Sequence, residues 1–214
     1  MDVTGRYGRS MPAVVVPAAR VERWVLNFQE RHGDTVLTVV EGVLRGAASD
    51  GSTFAARLPF ATAYDGSPDA VSFAAEARTC APTDWGVLLV RKGGFAVARL
   101  DGAQMGASKT GQRHVQGRTK AGGQSQQRFA RRRDNQARQA YEAAADHAAR
   151  ILEDLRGPVV VGGDRSAVEE VLADRRLAGL TVVDPWLALP DPRRNVLEQG
   201  VAEALSVLVD VHNA

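Results

Sequence analysis

One tripeptide, Gly122-Gly123-Gln124, stands out for the chemistry its residue types allow. Two residues without a Cβ let the backbone take positive φ and come close to another molecule. The glutamine amide that follows offers an acceptor and two donors and carries no charge. Basic residues flank it on both sides: Arg118 and Lys120 before, Arg128, Arg131, Arg132 and Arg133 after. From Ala107 to Gln139 there are nine basic residues and one acid, Asp134, a net of +8; the rest of the chain holds 18 basic and 24 acidic residues, a net of −6. A local cationic stretch on an otherwise acidic body is the footprint of a polyanion site, and nucleic acid is the polyanion it suits. A solvated helix face explains the run from Arg131 to Arg138, but not the basic residues that continue through the glycine loop.

Other catalytic sets are not evident. His32, His114, His147 and His212 have no metal-ligand spacing, and the single cysteine, Cys80, completes none and forms no disulfide within the chain. A lone cysteine suits a reducing cytosol. There is no Gly-x-Ser-x-Gly elbow, and Glu169-Glu170 and Asp191 read as solvated carboxylates. Gly162-Gly163-Asp164 lacks the dinucleotide glycine pattern and the phosphate-loop lysine, so it reads as a tight turn. No apolar run reaches membrane-spanning length. A reaction at the loop therefore has to proceed without a strong base. Hydrolysis of an activated ester permits that, because the loop need only place a water and stabilise an oxyanion with amide or N–H donors.

The elements around the loop follow from pattern. Residues 1–11 read as a flexible tail. Ala13–Val16 is predicted as a strand, and Val21, Trp24, Val25 and Phe28 as one face of a helix. Thr35–Leu44 and Thr53–Phe60 are predicted as strands, making the N-terminal part β-α-β-β, and 61–81 as an irregular connection. Trp85–Val90 and Phe95–Leu100 read as a hairpin across Lys92-Gly93-Gly94, with a further strand between Met105 and Val115. Gln126–Arg156 carries Ala137, Ala140, Tyr141, Ala144, Ala148, Ile151, Leu152 and Leu155 at helical spacing. After a strand at Pro158–Val161, Ser166-x-x-Glu169 reads as a capping box. Leu180–Val183 is predicted as a strand, Pro185 and Pro190 as loop markers, and Arg193–Val211 as a closing helix. The fold class is a mixed β-sheet with helices packed on it, α+β or α/β, with the basic loop protruding. Residues 12–80 are expected to pack into the same unit as 81–214, which holds the loop.

The pattern Gly122-Gly123-Gln124-Ser125-x-x-Arg128-Phe129-Ala130-Arg131-x-Arg133 resembles the catalytic loop and following helix of archaeal and eukaryotic peptide release factors. In size and layout the chain is similar to the Vms-like release factors, which clear peptidyl-tRNA from stalled ribosomes. The resemblance covers about the last three-fifths of the chain and is specific around the loop. It implies that Gln124 acts at the ester, that Gly122 and Gly123 let it reach there, and that Arg118, Lys120, Arg128, Arg131, Arg132 and Arg133 contact RNA phosphates. Phe129 is expected to anchor the loop base, and the alternative for Arg128 is to anchor it as well instead of contacting RNA. Nothing in the chain resembles a codon-reading motif, and the ankyrin and zinc-finger parts of eukaryotic Vms-like proteins have no counterpart here.

The expectation is a cytoplasmic, monomeric, codon-independent peptidyl-tRNA hydrolase of ribosome-associated quality control. Its partners would be the large ribosomal subunit, its RNA and peptidyl-tRNA, with no membrane, no cofactor and no metal. The rival readings are a non-catalytic ribosome- or RNA-binding factor, a tRNA-cleaving nuclease using the same loop, and a small α/β enzyme with a basic loop.

Overall fold

The computed structural model describes residues 13–112 and 124–214, and side chains in the second segment from Ala137 on. The chain forms two compact units, residues 1–80 with 205–214 and residues 81–204.

In the first unit, β1 (Val14–Val16), β2 (Thr35–Val40), β3 (Val43–Ala48) and β4 (Thr53–Arg57) join a strand from the far end of the chain, Val207–His212. That strand lies between β1 and β4 in an antiparallel sheet of five. Helices α1 (Val21–His32) and α2 (Ala70–Thr79) complete the core, with Val21, Val25, Phe28, Phe73, Ala74 and Ala77 buried beside Leu44, Phe54 and Val209. Three expectations change here. Thr35–Leu44 is broken by Glu41 and Gly42, both at positive φ (52° and 74°), the pair of left-handed residues that suits a tight hairpin. The supposed connection 61–81 contains α2. Its turn-like Asp69 is a helix cap, accepting from the Ser72 amide at 2.8 Å. The closing helix stops at Ala204, and Val207-Leu-Val-Asp-Val211 becomes a strand because its valines alternate toward the first core.

The second unit carries a mixed sheet in the order β7-β6-β5-β8-β9: β5 (Trp85–Arg91), β6 (Gly94–Asp101), β7 (Gln104–Gln112), β8 (Pro158–Gly163) and β9 (Thr181–Leu187). The expected hairpin is present, β7 extends it antiparallel, and β8 and β9 run parallel to β5. Trp85 to Val90 are all buried, the near-continuous apolar run of a strand covered on both faces. Helix α3 (Gln124–Ile151) and α4 (Arg165–Leu172) pack with Leu88, Val90, Phe95 and Val97. Helix α5 (Arg194–Ala204) packs on the same sheet through Val196, Leu197 and Val201. This is the mixed sheet with helices that the pattern predicts.

Two local readings in this unit are corrected. The residue before α4 is Asp164, not a Ser166 capping box; its carboxylate meets Arg91 Nη2 at 3.2 Å instead of the helix. Pro185 lies within β9, after a cis peptide bond. Among the described residues no helix is long and apolar enough to cross a membrane.

Removing residues 207–214 takes an inner strand out of the first sheet and leaves β1 without its partner. Hydrogen exchange on that truncated chain should show lost protection in β1, β3 and β4, with the second sheet still protected. Unchanged protection in β1 and β4 would contradict this topology.

Candidate functional site

Along the chain the loop runs from an edge strand to a long helix. β7 is described to Gln112 and α3 from Gln124, so Arg118, Lys120, Gly122 and Gly123, like His114, lie outside the described residues. Gln124, Arg128, Arg131, Arg132 and Arg133 fall on the first turns of α3, which starts two residues earlier than the sequence suggests, and their side chains are likewise outside. Helix α3 has 28 residues. At ~1.5 Å per residue it is about 42 Å long. The predicted stripe is realised: Ala140, Tyr141, Ala144, Ala148 and Leu152 are buried, and Ala137, Ile151 and Leu155 pack beside them.

The far end of α3 is pinned by charge-assisted hydrogen bonds. Arg99 on β6 donates from Nε and Nη2 to Asp84 at 2.7 and 3.1 Å, and from Nη1 to the Glu153 carbonyl at 2.6 Å. The Arg156 amide adds a bond to Asp84 at 3.2 Å. The Arg99 guanidinium holds the Asp84 carboxyl below its usual range, since it favours the ionised form.

At the loop end of the sheet, Gln112 pairs with Gly94, and Gly94 with Arg91. The β5–β6 turn and the β8–α4 turn therefore share that end with the C-terminal end of β7. Arg91 is committed there: it donates to the Leu189 carbonyl at 3.2 Å besides meeting Asp164. The Asp164 amide bonds the Val90 carbonyl at 2.9 Å, and its carboxylate turns to Arg91 and accepts from the Lys92 amide at 3.4 Å. Gly163 sits at φ 100° with its backbone against the Val90 carbonyl, in keeping with the reading of Gly162-Gly163 as a turn. Arg165 sits over the Trp186 ring at 4.6 Å.

Between α3 and the β6–β7 edge lies a groove of about 180 Å³. Gly94, Phe95 and Gly111 line it from the strands, and Ala140, Ala143 and His147 from the helix, with Lys109 and Gln112 also at it. A Cβ at Gly111 would run into the Phe95 ring, so the glycine is what lets that ring lie against the strand. The His147 ring stacks on Phe95, 5.4 Å between centroids at 25°. Arg150 Nη2 lies 2.6 Å from His147 Nδ1. A guanidinium can only donate, so Nδ1 accepts and the ring proton belongs on Nε2. Burial, then Arg150 and Lys109, hold the imidazole below its ordinary range, partly offset by Asp146. From sequence alone His147 reads as a surface or edge residue, and the groove escapes notice. The available signal is Ala140, Ala143 and His147 on one helix face, spaced three and four apart.

Of the other singled-out side chains, His32, Cys80 and His212 fall in the first unit, and Glu169, Glu170 and Asp191 in the second. His32 Nδ1 meets Asp50 at 2.8 Å, and burial pushes the Cys80 thiol up, away from thiolate chemistry. Among the described residues no group of three or more His, Cys, Asp or Glu could hold a metal.

A titration of His147 followed by NMR should show the neutral ring persisting below the ordinary midpoint of about 6.5. Arg150→Ala should move the midpoint up. Because the folded value is depressed, the ring's contribution to stability is complete above about pH 6.5 and is lost as pH falls through the folded value. A midpoint at or above the ordinary value would contradict the bond from Arg150.

Among solved structures, the chain overlaps the archaeal translation termination factor aRF1 at 14% identity and a TM-score of 0.44, covering 91% of this chain and 66% of that one. It overlaps Pelota from Archaeoglobus fulgidus at 12% identity and a TM-score of 0.26, covering 95% of this chain and 68% of that one. The chain thus spans just under two thirds of the aRF1 chain. Overlaps this loose decide nothing about function. No curated protein matches. The family model for the Actinobacteria/chloroflexi VLRF1 release factor matches residues 83–210, more than half of the chain and the whole span from β5 through the loop to α5. The chain belongs to that release factor family.

Proposed function

We propose that this protein hydrolyses peptidyl-tRNA on stalled or split ribosomes, without reading a codon, through Gly122, Gly123 and Gln124. The observation that carries the reading is the coincidence of family and motif. The release-factor match runs through residues 83–210, and the intact Gly-Gly-Gln tripeptide falls inside it, at the start of α3. The chemistry needs little from the protein. A water attacks the ester carbonyl, the oxyanion collapses, the bond to the ribose 3′ oxygen breaks, and that oxygen takes a proton. The products are a free peptide carboxyl group and a tRNA with its 3′ hydroxyl restored. Gln124 contributes by orienting the water and donating to developing charge, and the glycines by letting the backbone approach. Arg118, Lys120, Arg128, Arg131, Arg132 and Arg133 hold the loop through phosphates, which position without reading sequence. The reading requires no cofactor, places the protein in the cytoplasm as a monomer, and takes the large subunit as its platform.

The test is release of a labelled nascent chain from purified large-subunit–peptidyl-tRNA complexes. Gln124→Ala should slow single-turnover release by about a hundredfold or more, the usual cost of losing one oxyanion donor. Charge reversal at Arg131, Arg132 and Arg133 should weaken subunit binding. It should also flatten the salt dependence of binding, by about 0.9 in log–log slope for each phosphate no longer neutralised. No release by either wild type or Gln124→Ala, with both still bound to the subunit, would favour a non-catalytic ribosome-binding factor, and equal release would remove Gln124 from the chemistry.

A further inference from the structure

The groove beside α3 has the chemistry of a binding site. Its volume of about 180 Å³ is several times the roughly 30 Å³ share of one water. It falls below the ~300–1,000 Å³ of pockets for drug-sized ligands. That range suits a single flat ring system. Phe95, Ala140 and Ala143 offer apolar walls, and Gln112 offers an amide able to donate and accept. The bond from Arg150 leaves His147 with Nε2–H as its remaining polar group.

Charge decides which kind of ring. Among the described residues no carboxylate lines the groove, and Lys109 does. Of the two acids on this stretch of α3, Asp146 is engaged by Arg176 at 2.7 Å, and Glu142 is not among the residues that line the groove. Apolar walls, an amide and an N–H beside a lysine match a nucleobase with its adjoining phosphate. An apolar peptide side chain would use the walls and leave Lys109 idle. Position decides the source. Ala140 is sixteen residues beyond Gln124, about 24 Å along the helix at ~1.5 Å per residue. With Gln124 at the tRNA 3′ end, the groove lies well away from the terminal nucleotide, and the large subunit taken as platform supplies ribosomal RNA as the surrounding strand.

We propose that this groove captures one unstacked base of ribosomal RNA, with Lys109 on the neighbouring phosphate. The inference rests on the ribosomal role proposed above and adds base binding to the phosphate binding of the loop. It makes the α3–β7 edge an RNA-docking surface in its own right.

The test uses the full chain and two short labelled RNA strands of equal length, oligo-A and an abasic strand, at fixed salt. Fluorescence anisotropy should show the base-bearing strand bound about tenfold tighter, within the range for stacking one base on a protein. Ala143→Met, which fills the groove, should abolish that preference. His147→Ala, which opens it, should reduce it and serves as the second variant if circular dichroism shows Ala143→Met misfolded. Equal affinity of the wild type for both strands would overturn the proposal, as would a preference that survives in folded Ala143→Met. Ultraviolet cross-linking on large subunits carrying peptidyl-tRNA should place the adduct in ribosomal RNA; an adduct in tRNA would overturn the source. The oligonucleotide assay needs no ribosome and no ester. Its failure leaves the hydrolase reading standing, and a failed release assay leaves the base preference standing.

Discussion

The close seating of α3 on the second sheet is the packing on which the proposed site depends. Ala144 and Ala148 are fully buried, and the small side chains of this stripe let the helix approach β5 and β6 closely. Such packing gains from many short dispersion contacts and tolerates little sliding. The Asp84–Arg99 pair fixes the far end of the same helix through the Glu153 carbonyl. A loop joined to a helix held at both its packed face and its C-terminal end starts from a defined place. β7, paired along β6, defines the other root.

That arrangement separates two demands that conflict in a small domain. A packed core needs apolar, uncharged surfaces, whereas a polyanion site needs concentrated positive charge. The chain resolves this along α3. In sequence its first turns carry Arg128, Arg131, Arg132 and Arg133, and among the described side chains Ala137 and those that follow at helical spacing face the core. Basic residues within the body are partly neutralised locally: Arg91 by Asp164, Arg99 by Asp84, Arg176 by Asp146 and Asp174. Excess positive charge is thus left to the segment around the loop, where steering of a polyanion is useful.

What is legible in the sequence follows from which signals are local. The hairpin of β5 and β6, the alanine stripe of α3 and the strand at Pro158 are set by nearby residues, and each reads directly from spacing. Gly122-Gly123-Gln124 with its downstream arginines is a pattern of order along the chain, and it falls inside the span that the family model matches. The strand Val207–His212 does not, because its partners Val14 and Arg57 are remote in sequence. Its valines fit a helix face as well as a strand, so tertiary pairing decides. Asp69 reads as a turn residue because caps and turns use the same side chains. The groove is invisible because Gly111 matters only through the distant Phe95 ring, and Arg150 fixes a tautomer that no pattern encodes.

The central claim is that this protein breaks the ester between peptide and tRNA with water. The most direct measurement is the isotopic composition of both products after single-turnover release in water enriched in oxygen-18. Hydrolysis predicts one heavy oxygen in the C-terminal carboxyl group of the released peptide and an unlabelled, full-length tRNA. A peptide free of label, still esterified to a terminal nucleotide of a shortened tRNA, would contradict the claim and assign the loop to strand cleavage.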